Sequence, residues 1–205
     1  ILSDHPSKHL WMIGITGTNG KTTTTWMLAH ILEYCQITPV GTIGTIGPRI
    51  NGVPLPDDSG FTTPESPGLQ RILQQFVALG CRTCIMEVSS IGLMMQRVGG
   101  IVFNIAAFTN FTQDHLEYHG TFEAYFDAKM GLFTRVLGVD GVAVVNLDDP
   151  KGPEVAMIAQ AHGHELIGVG RDVEADLRLL TQRFDATGQD VLFSWHDRPF
   201  QARLN

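Results

Sequence analysis

Leu10 to Thr25 reads LWMIGITGTNGKTTTT. An apolar run ends in closely spaced glycines, and helix-compatible residues follow from Lys21 to Tyr34. That order is strand, glycine-rich turn, helix. Small residues let backbone N–H groups converge on phosphate oxygens. The helix N-terminus adds a favourable field for anions. Lys21 can place its ammonium on terminal phosphates, and the Thr22 hydroxyl can ligate magnesium. The strict phosphate-loop pattern wants a glycine where Ile15 stands; Gly14 and Gly17 flank that position instead. The nucleotide-binding candidates are therefore Gly17, Thr18, Asn19, Gly20, Lys21, Thr22 and Thr23.

Outward from this turn, strands and helices alternate. Gly41 to Pro56 reads as strand and turn. The stretch Thr63-Pro64-Glu65-Ser66-Pro67 opens a helix with Leu69, Ile72, Leu73, Phe76 and Val77 on one face, closed by Gly80. Strands follow at Cys84 to Val88 and at 101–109. Thr121 to Leu137 is expected to be one helix, with Thr121 as N-cap and Gly138 as its stop. Val142 to Asn146 is a strand, Glu154 to Ala161 a short helix, and Glu165 to Val169 a strand. After Asp172 the pattern turns to shorter alternating strands, LRLLTQRF, VLFSWH and FQARL, expected to be antiparallel. The fold class is α/β, a mostly parallel sheet with helices on both faces and a small antiparallel addition over 172–205.

The chain has 205 residues, 43 % hydrophobic and 17 % charged, with a net charge of −7. That balance fits a folded domain and argues against a protein that coats nucleic acid. Phosphate ligands remain open, because backbone amides hold them without net positive charge. There is no signal peptide and no apolar run long enough for a membrane span, so the cytoplasm is the expected compartment. Cys81-Arg-Thr-Cys84 matches C-x-x-C but lacks a second pair for zinc. On a strand the two thiols are expected to point to opposite faces. Only Lys8, Lys21, Lys129 and Lys151 supply lysine.

Glu87 ends an apolar strand on the edge where ligands of open α/β sheets collect, so it is a candidate magnesium ligand; a solvated strand-end acid is the alternative. Asn110 and His115 follow the next strand on that same edge. Asn110 also reads as a turn asparagine bonding its own backbone. His119 precedes Gly120, which argues for a structural hydrogen-bonding role. Lys129 lies mid-helix among Phe126, Ala128, Leu132 and Phe133, as a snorkelling lysine would.

The modified loop Gly17-Thr18-Asn19-Gly20-Lys21-Thr22-Thr23 resembles that of the Mur ligase superfamily and its folylpolyglutamate synthetase relatives. Further motifs follow in the family's order. They are Gly44-Thr45-Ile46-Gly47, Thr62-Thr63-Pro64-Glu65, Met86-Glu87-Val88-Ser89-Ser90, Phe108-Thr109-Asn110, Asp114 through Gly120 (DHLEYHG), Ala128-Lys129, and Asn146-Leu147-Asp148-Asp149. They resemble most the central ATP-binding domain of the tripeptide-forming members, densely over residues 11–150. The resemblance implies that 1–10 is a linker from a preceding domain and that a C-terminal amino-acid-binding domain lies elsewhere.

It also implies ATP-dependent amide ligation in peptidoglycan precursor synthesis. A third amino acid would be added to UDP-N-acetylmuramoyl-L-alanyl-D-glutamate through an acyl phosphate. ATP and two magnesium ions would serve as cofactors. Lys21, Glu87, His115 and Lys129 would be catalytic, with Thr22, Glu87, His115 and Lys129 at the metals. Lys129 would be carbamylated, which requires a neutral, desolvated amine. Asn110 would lie near the nucleotide. Thr62, Thr63, Ser89 and Arg97 would contact the UDP-muramyl-peptide; Arg97 suits an anionic substrate. Ile91 departs from the histidine the family usually carries, and Met95 from a glutamine found in some members. The alternatives are another amide ligase of the superfamily (cyanophycin synthetase-like or lipid II-modifying) and a non-catalytic nucleotide-binding module.

Overall fold

The computed structural model describes residues 5–56, 60–114 and 116–204. His115 lies outside the described residues. Among the described residues, the phosphate-loop strand β1 (Trp11–Thr16) sits in the middle of an eleven-stranded sheet. One flank holds β5 (Thr83–Glu87) and β2 (Val40–Ile43), extended by the short hairpin β3 (Arg49–Ile50) and β4 (Val53–Pro54). The other flank runs through β6 (Phe103–Phe108), β7 (Leu137–Asn146) and β8 (Glu165–Gly170) to β9 (Leu177–Asp185), β10 (Gly188–Trp195) and β11 (Arg198–Leu204). Because the chain moves to both sides of β1, the C-terminal end of this strand is a switch point, where α/β sheets bind ligands. The pairings Ile15↔Glu87 and Thr16↔Phe108 bring the ends of β5 and β6 beside the glycine loop.

Helices lie on both faces, but unequally. The face carrying Met12, Met86, Phe103, Ala106 and Phe108 is covered by α2 (Ser66–Ala78), α3 (Ser90–Met94), α5 (Phe122–Gly131) and α6 (Gly152–Ala161). The short α4 (Leu116–His119) precedes α5. In α2, Leu69, Ile72, Leu73 and Phe76 repeat at three- and four-residue spacing and are all buried, as an amphipathic stripe requires. The opposite face, with Ile13, Ile15 and Ile85, is covered by α1 (Lys21–Tyr34). Beside α1 an apolar groove of about 920 Å³ stays open, lined among others by Ile31, Ile105, Ala107 and Val144.

Three expectations change. The helix from Thr121 does not run to Leu137. Thr121 caps it by accepting from the Ala124 N–H at 3.1 Å, but the α-helix ends at Gly131 and one π-helical turn, Leu132–Val136, follows. Arg135 folds back over Gly131, where a Cβ would lie 2.0 Å from its Nη2, and donates to the Leu93 carbonyl. Gly138 therefore lies inside β7, which starts earlier than the periodicity predicts. The sheet does not change type at Asp172: β8 and β9 are still parallel, and on this flank antiparallel pairing starts with β9 and β10. Cys81 and Cys84 belong to the same core cluster, because Cys81 precedes the strand and escapes its alternation.

Candidate active site

The loop between β1 and α1 is stitched to the end of β6. Gly17 has φ 142°, and a Cβ there would lie 1.9 Å from the Thr109 Oγ1, so only glycine fits. Gly20 precedes the helix at φ 83°, and no side chain caps the helix N-terminus. Asn110 grips Asn19 twice: its Oδ1 accepts from the Asn19 N–H at 2.9 Å, and its Nδ2 donates to the Asn19 carbonyl at 3.0 Å. The Thr109 hydroxyl donates to the same carbonyl at 2.7 Å. The Thr18 N–H donates to the Asn110 carbonyl, and the Thr18 hydroxyl meets the Tyr125 hydroxyl at 3.2 Å. The strand end is itself held: Asn146 donates to the Thr109 carbonyl at 2.7 Å, and Asp149 accepts from the Phe111 N–H at 2.9 Å. Asn110 is thus a loop-positioning residue, its side chain bonded to Asn19 and not to its own backbone.

Lys21 opens α1 and turns its ammonium back over the loop, donating to the Gly17 and Thr18 carbonyls at 2.9 Å each. Burial lowers its pKa, and the negative charges of Glu87 and Asp114 partly oppose that.

Glu87 rises on the α1 face and is only 1 % exposed. Its carboxylate accepts from the Thr22 hydroxyl at 2.8 Å, the Thr45 N–H at 3.0 Å and the Thr45 hydroxyl at 3.1 Å. The carboxylate occupies the space a side chain at Gly44 would need; a Cβ there would lie 2.0 Å from Oε1. A buried carboxylate held this way is a fixed negative charge beside the loop.

Lys129 approaches from the other face. It is 1 % exposed, its Nζ donates to the Gly17 carbonyl at 2.8 Å, and it lies 4.5 Å from the centre of the Tyr125 ring. Burial, reinforced by the positive Lys21, pushes its pKa down to about 7, with Asp114 pulling the other way. A substantial neutral fraction exists at neutral pH. The snorkelling alternative is excluded, because the amine is buried with its stem.

Thr62, Thr63, Ser89 and Arg97 form a second cluster against the end of β5. The Thr63 hydroxyl donates to the Glu87 carbonyl at 3.0 Å and accepts from the Ser89 N–H at 2.9 Å. Ser89 caps α3 by accepting from the Gly92 N–H at 3.0 Å. Arg97 donates to the Thr63 carbonyl at 3.1 Å and stacks over Phe61 at 4.3 Å. The Thr62 hydroxyl meets that of Thr45 at 3.1 Å and so links this cluster to Glu87. Thr63 is buried with its hydroxyl spent inside the protein, and the Ser89 hydroxyl is spent on its cap; Thr62, Ser89 and Arg97 are partly exposed. His119 meets the Ser90 hydroxyl at 3.0 Å, the hydrogen-bonding role its position before Gly120 suggests. Among the described residues, no group of three or more His, Cys, Asp or Glu side chains gathers to hold a metal.

Sequence reasoning missed Thr45 and Tyr125 as parts of this site. Thr45 lies in the Gly44-to-Gly47 motif, whose spacing carries no chemical signature alone. Tyr125 reads simply as an apolar helix position.

A parallel sheet whose switch point carries a glycine loop, a lysine and a buried strand-end carboxylate defines a phosphate-loop nucleotide-binding domain. The model of the Mur ligase middle domain matches residues 15–205, and the chain belongs to that family. A Geobacter metallireducens protein named UDP-N-acetylmuramoyl-L-alanyl-D-glutamate–2,6-diaminopimelate ligase is 38 % identical over 205 residues, covering 98 % of this chain and 39 % of the relative. A Clostridium botulinum protein of the same name is 44 % identical over 174 residues, covering 85 % and 34 %. A solved structure under that name superposes with a TM-score of 0.81 at 31 % identity, covering 94 % of this chain and 38 % of its own. The chain spans about two-fifths of the length of the curated relatives it matches. Among the described residues, no helix is long and apolar enough to cross a membrane.

Proposed function

We propose that this chain is the ATP-binding domain of a ligase that adds the third amino acid to UDP-N-acetylmuramoyl-L-alanyl-D-glutamate in peptidoglycan precursor synthesis, in the cytoplasm. The observation that carries the reading is the convergence of Lys21, Glu87 and Lys129 on one glycine loop from both faces of the sheet. The similarity to ligases of that name over nearly the whole chain supports the substrate.

The residues present fit a magnesium nucleotide. Magnesium is commonly bound by one or two carboxylates together with substrate phosphates and water, so a sparse protein ligand set suits it. Thr22 and Glu87 would hold one ion; His115 and Lys129 would hold or orient a second. When bound, ATP with magnesium would supply the phosphoryl group that activates the substrate carboxylate as an acyl phosphate, with ADP as leaving group, and attack by the incoming amine would expel inorganic phosphate.

The chain's own residues do the positioning and the charge compensation. The N–H groups of Gly20 to Thr23 at the start of α1 present themselves to the phosphates, while those of Thr18 and Asn19 are spent on Asn110, which fixes this part of the loop. Lys21 exchanges its bonds with the loop carbonyls for phosphate oxygens and neutralises charge that develops on them. Lys129, with much of its amine neutral near pH 7, takes up carbon dioxide and becomes a carboxylate-like ligand. Thr62 and Arg97 face the muramyl-peptide, and Thr63 and Ser89 shape the wall that presents them.

The test is phosphate release by the intact protein with ATP, UDP-muramyl-dipeptide and either diaminopimelate or lysine. Release with one of the amino acids is expected, and Lys21→Ala abolishes it. No release with either amino acid overturns the reading.

A further inference from the structure

Thr16 closes β1 and is fully buried, yet its hydroxyl finds no hydrogen-bond partner among the described residues. Buried hydroxyls are nearly always paired, so this one calls for a partner that arrives later. Its surroundings are fixed by the sheet. Thr16 is in register with Phe108, which packs in the core cluster with Tyr125 and Phe126 of α5. Gly14, two residues earlier on the strand, faces Leu132 and Phe103. Strand side chains alternate, so Thr16 shares that face. Lys129 lies one turn before Leu132, and its Nζ reaches the carbonyl of Gly17, the residue after Thr16. The unpaired hydroxyl and the buried amine thus occupy one face at one height of the sheet.

We propose that the Thr16 hydroxyl is a positioning donor for the carboxylate that carbon dioxide forms on Lys129. The inference rests on the carbamylation reading above. In that step the Nζ lone pair forms a bond to the carbon of carbon dioxide. One C=O π pair moves onto oxygen, and an N–H proton leaves to a solvent base. The ammonium form has no lone pair to accept from Thr16, and the one lone pair of the neutral amine is consumed in the new bond to carbon. The product carries oxygen lone pairs, and the Thr16 O–H can then donate to one of them. Thr16 would hold the new group in place and favour its formation without touching the substrate.

The experiment loads the full chain with ¹³C-bicarbonate in equilibrium with carbon dioxide and follows the carbamate carbon by NMR. The signal is assigned by its loss in Lys129→Gln. Thr16→Val keeps the shape and removes the hydroxyl. It is expected to weaken apparent carbon dioxide affinity about tenfold or more, as loss of one hydrogen bond to a charged group implies. Thr16→Ser retains wild-type affinity, and its melting temperature stays near that of the wild type. If the valine variant does not fold, Thr16→Ala against Thr16→Ser makes the same comparison. Equal occupancy in wild type and the hydroxyl-free variants overturns the Thr16 proposal and leaves the Lys129 reading standing. Equal loss in the serine variant also overturns it, since that marks a packing role. No carbamate in wild type at any carbon dioxide pressure overturns the Lys129 reading itself.

Discussion

Replacing Gly44 by alanine tests how tightly the buried carboxylate is built in. The added Cβ would lie 2.0 Å from the Glu87 Oε1, 2.5 Å from its Cδ and 2.7 Å from its Cγ. Gly44 has no left-handed backbone conformation, so the cost comes from the contact and not from φ strain. Glu87 is 1 % exposed, and to clear the methyl its carboxylate must leave three hydrogen bonds from Thr22 and Thr45. Each bond to a charged group contributes about 1.5–3 kcal/mol. Partial re-pairing with water reduces the sum, and we expect a loss of about 2–4 kcal/mol. For a chain of this size that lowers the melting temperature by roughly 5–15 °C. The assay is a double-mutant cycle by denaturant unfolding with Gly44→Ala, Glu87→Ala and the pair. In the Glu87→Ala background the methyl enters vacated space and costs less than about 0.5 kcal/mol. An equal loss in both backgrounds, or a wild-type loss below that figure, refutes the reasoning.

The buried amine gives a pH signature. Lys129 has its folded pKa lowered to about 7 from 10.5, so the unfolded chain binds the extra proton between those values and stability rises with pH across that window. The shift caps the gain at about 5 kcal/mol. Lys129→Met therefore exceeds wild type most below about pH 7 and loses that lead towards about pH 10, read from urea midpoints in carbon dioxide-free buffer; a gap constant from about pH 7 to about pH 10 contradicts this. Asn110→Ala removes both side-chain bonds to Asn19, and amide exchange over residues 17–20 is expected to quicken roughly tenfold with little change in melting temperature. The open groove beside α1 should bind an apolar fluorescent dye. Ile31→Glu on its 55 % exposed rim should cut that binding several-fold without lowering stability, and dye binding unchanged by the substitution counts against the groove as the site.

The alternation of apolar runs with amphipathic stretches made the α/β order legible, because strand and helix periods differ and glycine marks the turns. The glycine loop was legible as chemistry, since only glycine fits at Gly17 and glycine is favoured at the positive φ of Gly20. Helix length was not: Leu132, Phe133 and Val136 continue an apolar periodicity that an α-helix and a π-helical turn share. Nor does a linear pattern tell which face a helix covers. The uneven cover of the sheet, with α1 on one side and α2, α3, α5 and α6 on the other, emerges only from the crossovers. Thr62, Thr63, Ser89 and Arg97 were legible as a set, but not their bonding to one another, which depends on the loop after β5 meeting the loop before α2.

The two lateral borders of the sheet carry a consequence for self-association. Unpaired strand edges invite other chains to add on, and long parallel strands would be potent templates. Here every strand of the parallel block is flanked by neighbours, and the borders are β4 and β11. β4 has two residues, one of them Pro54, which cannot donate. β11 opens on Arg198-Pro199 and carries Arg203, paired with Asp185 and Asp190. Proline and paired charge blunt both rims against edge-to-edge growth.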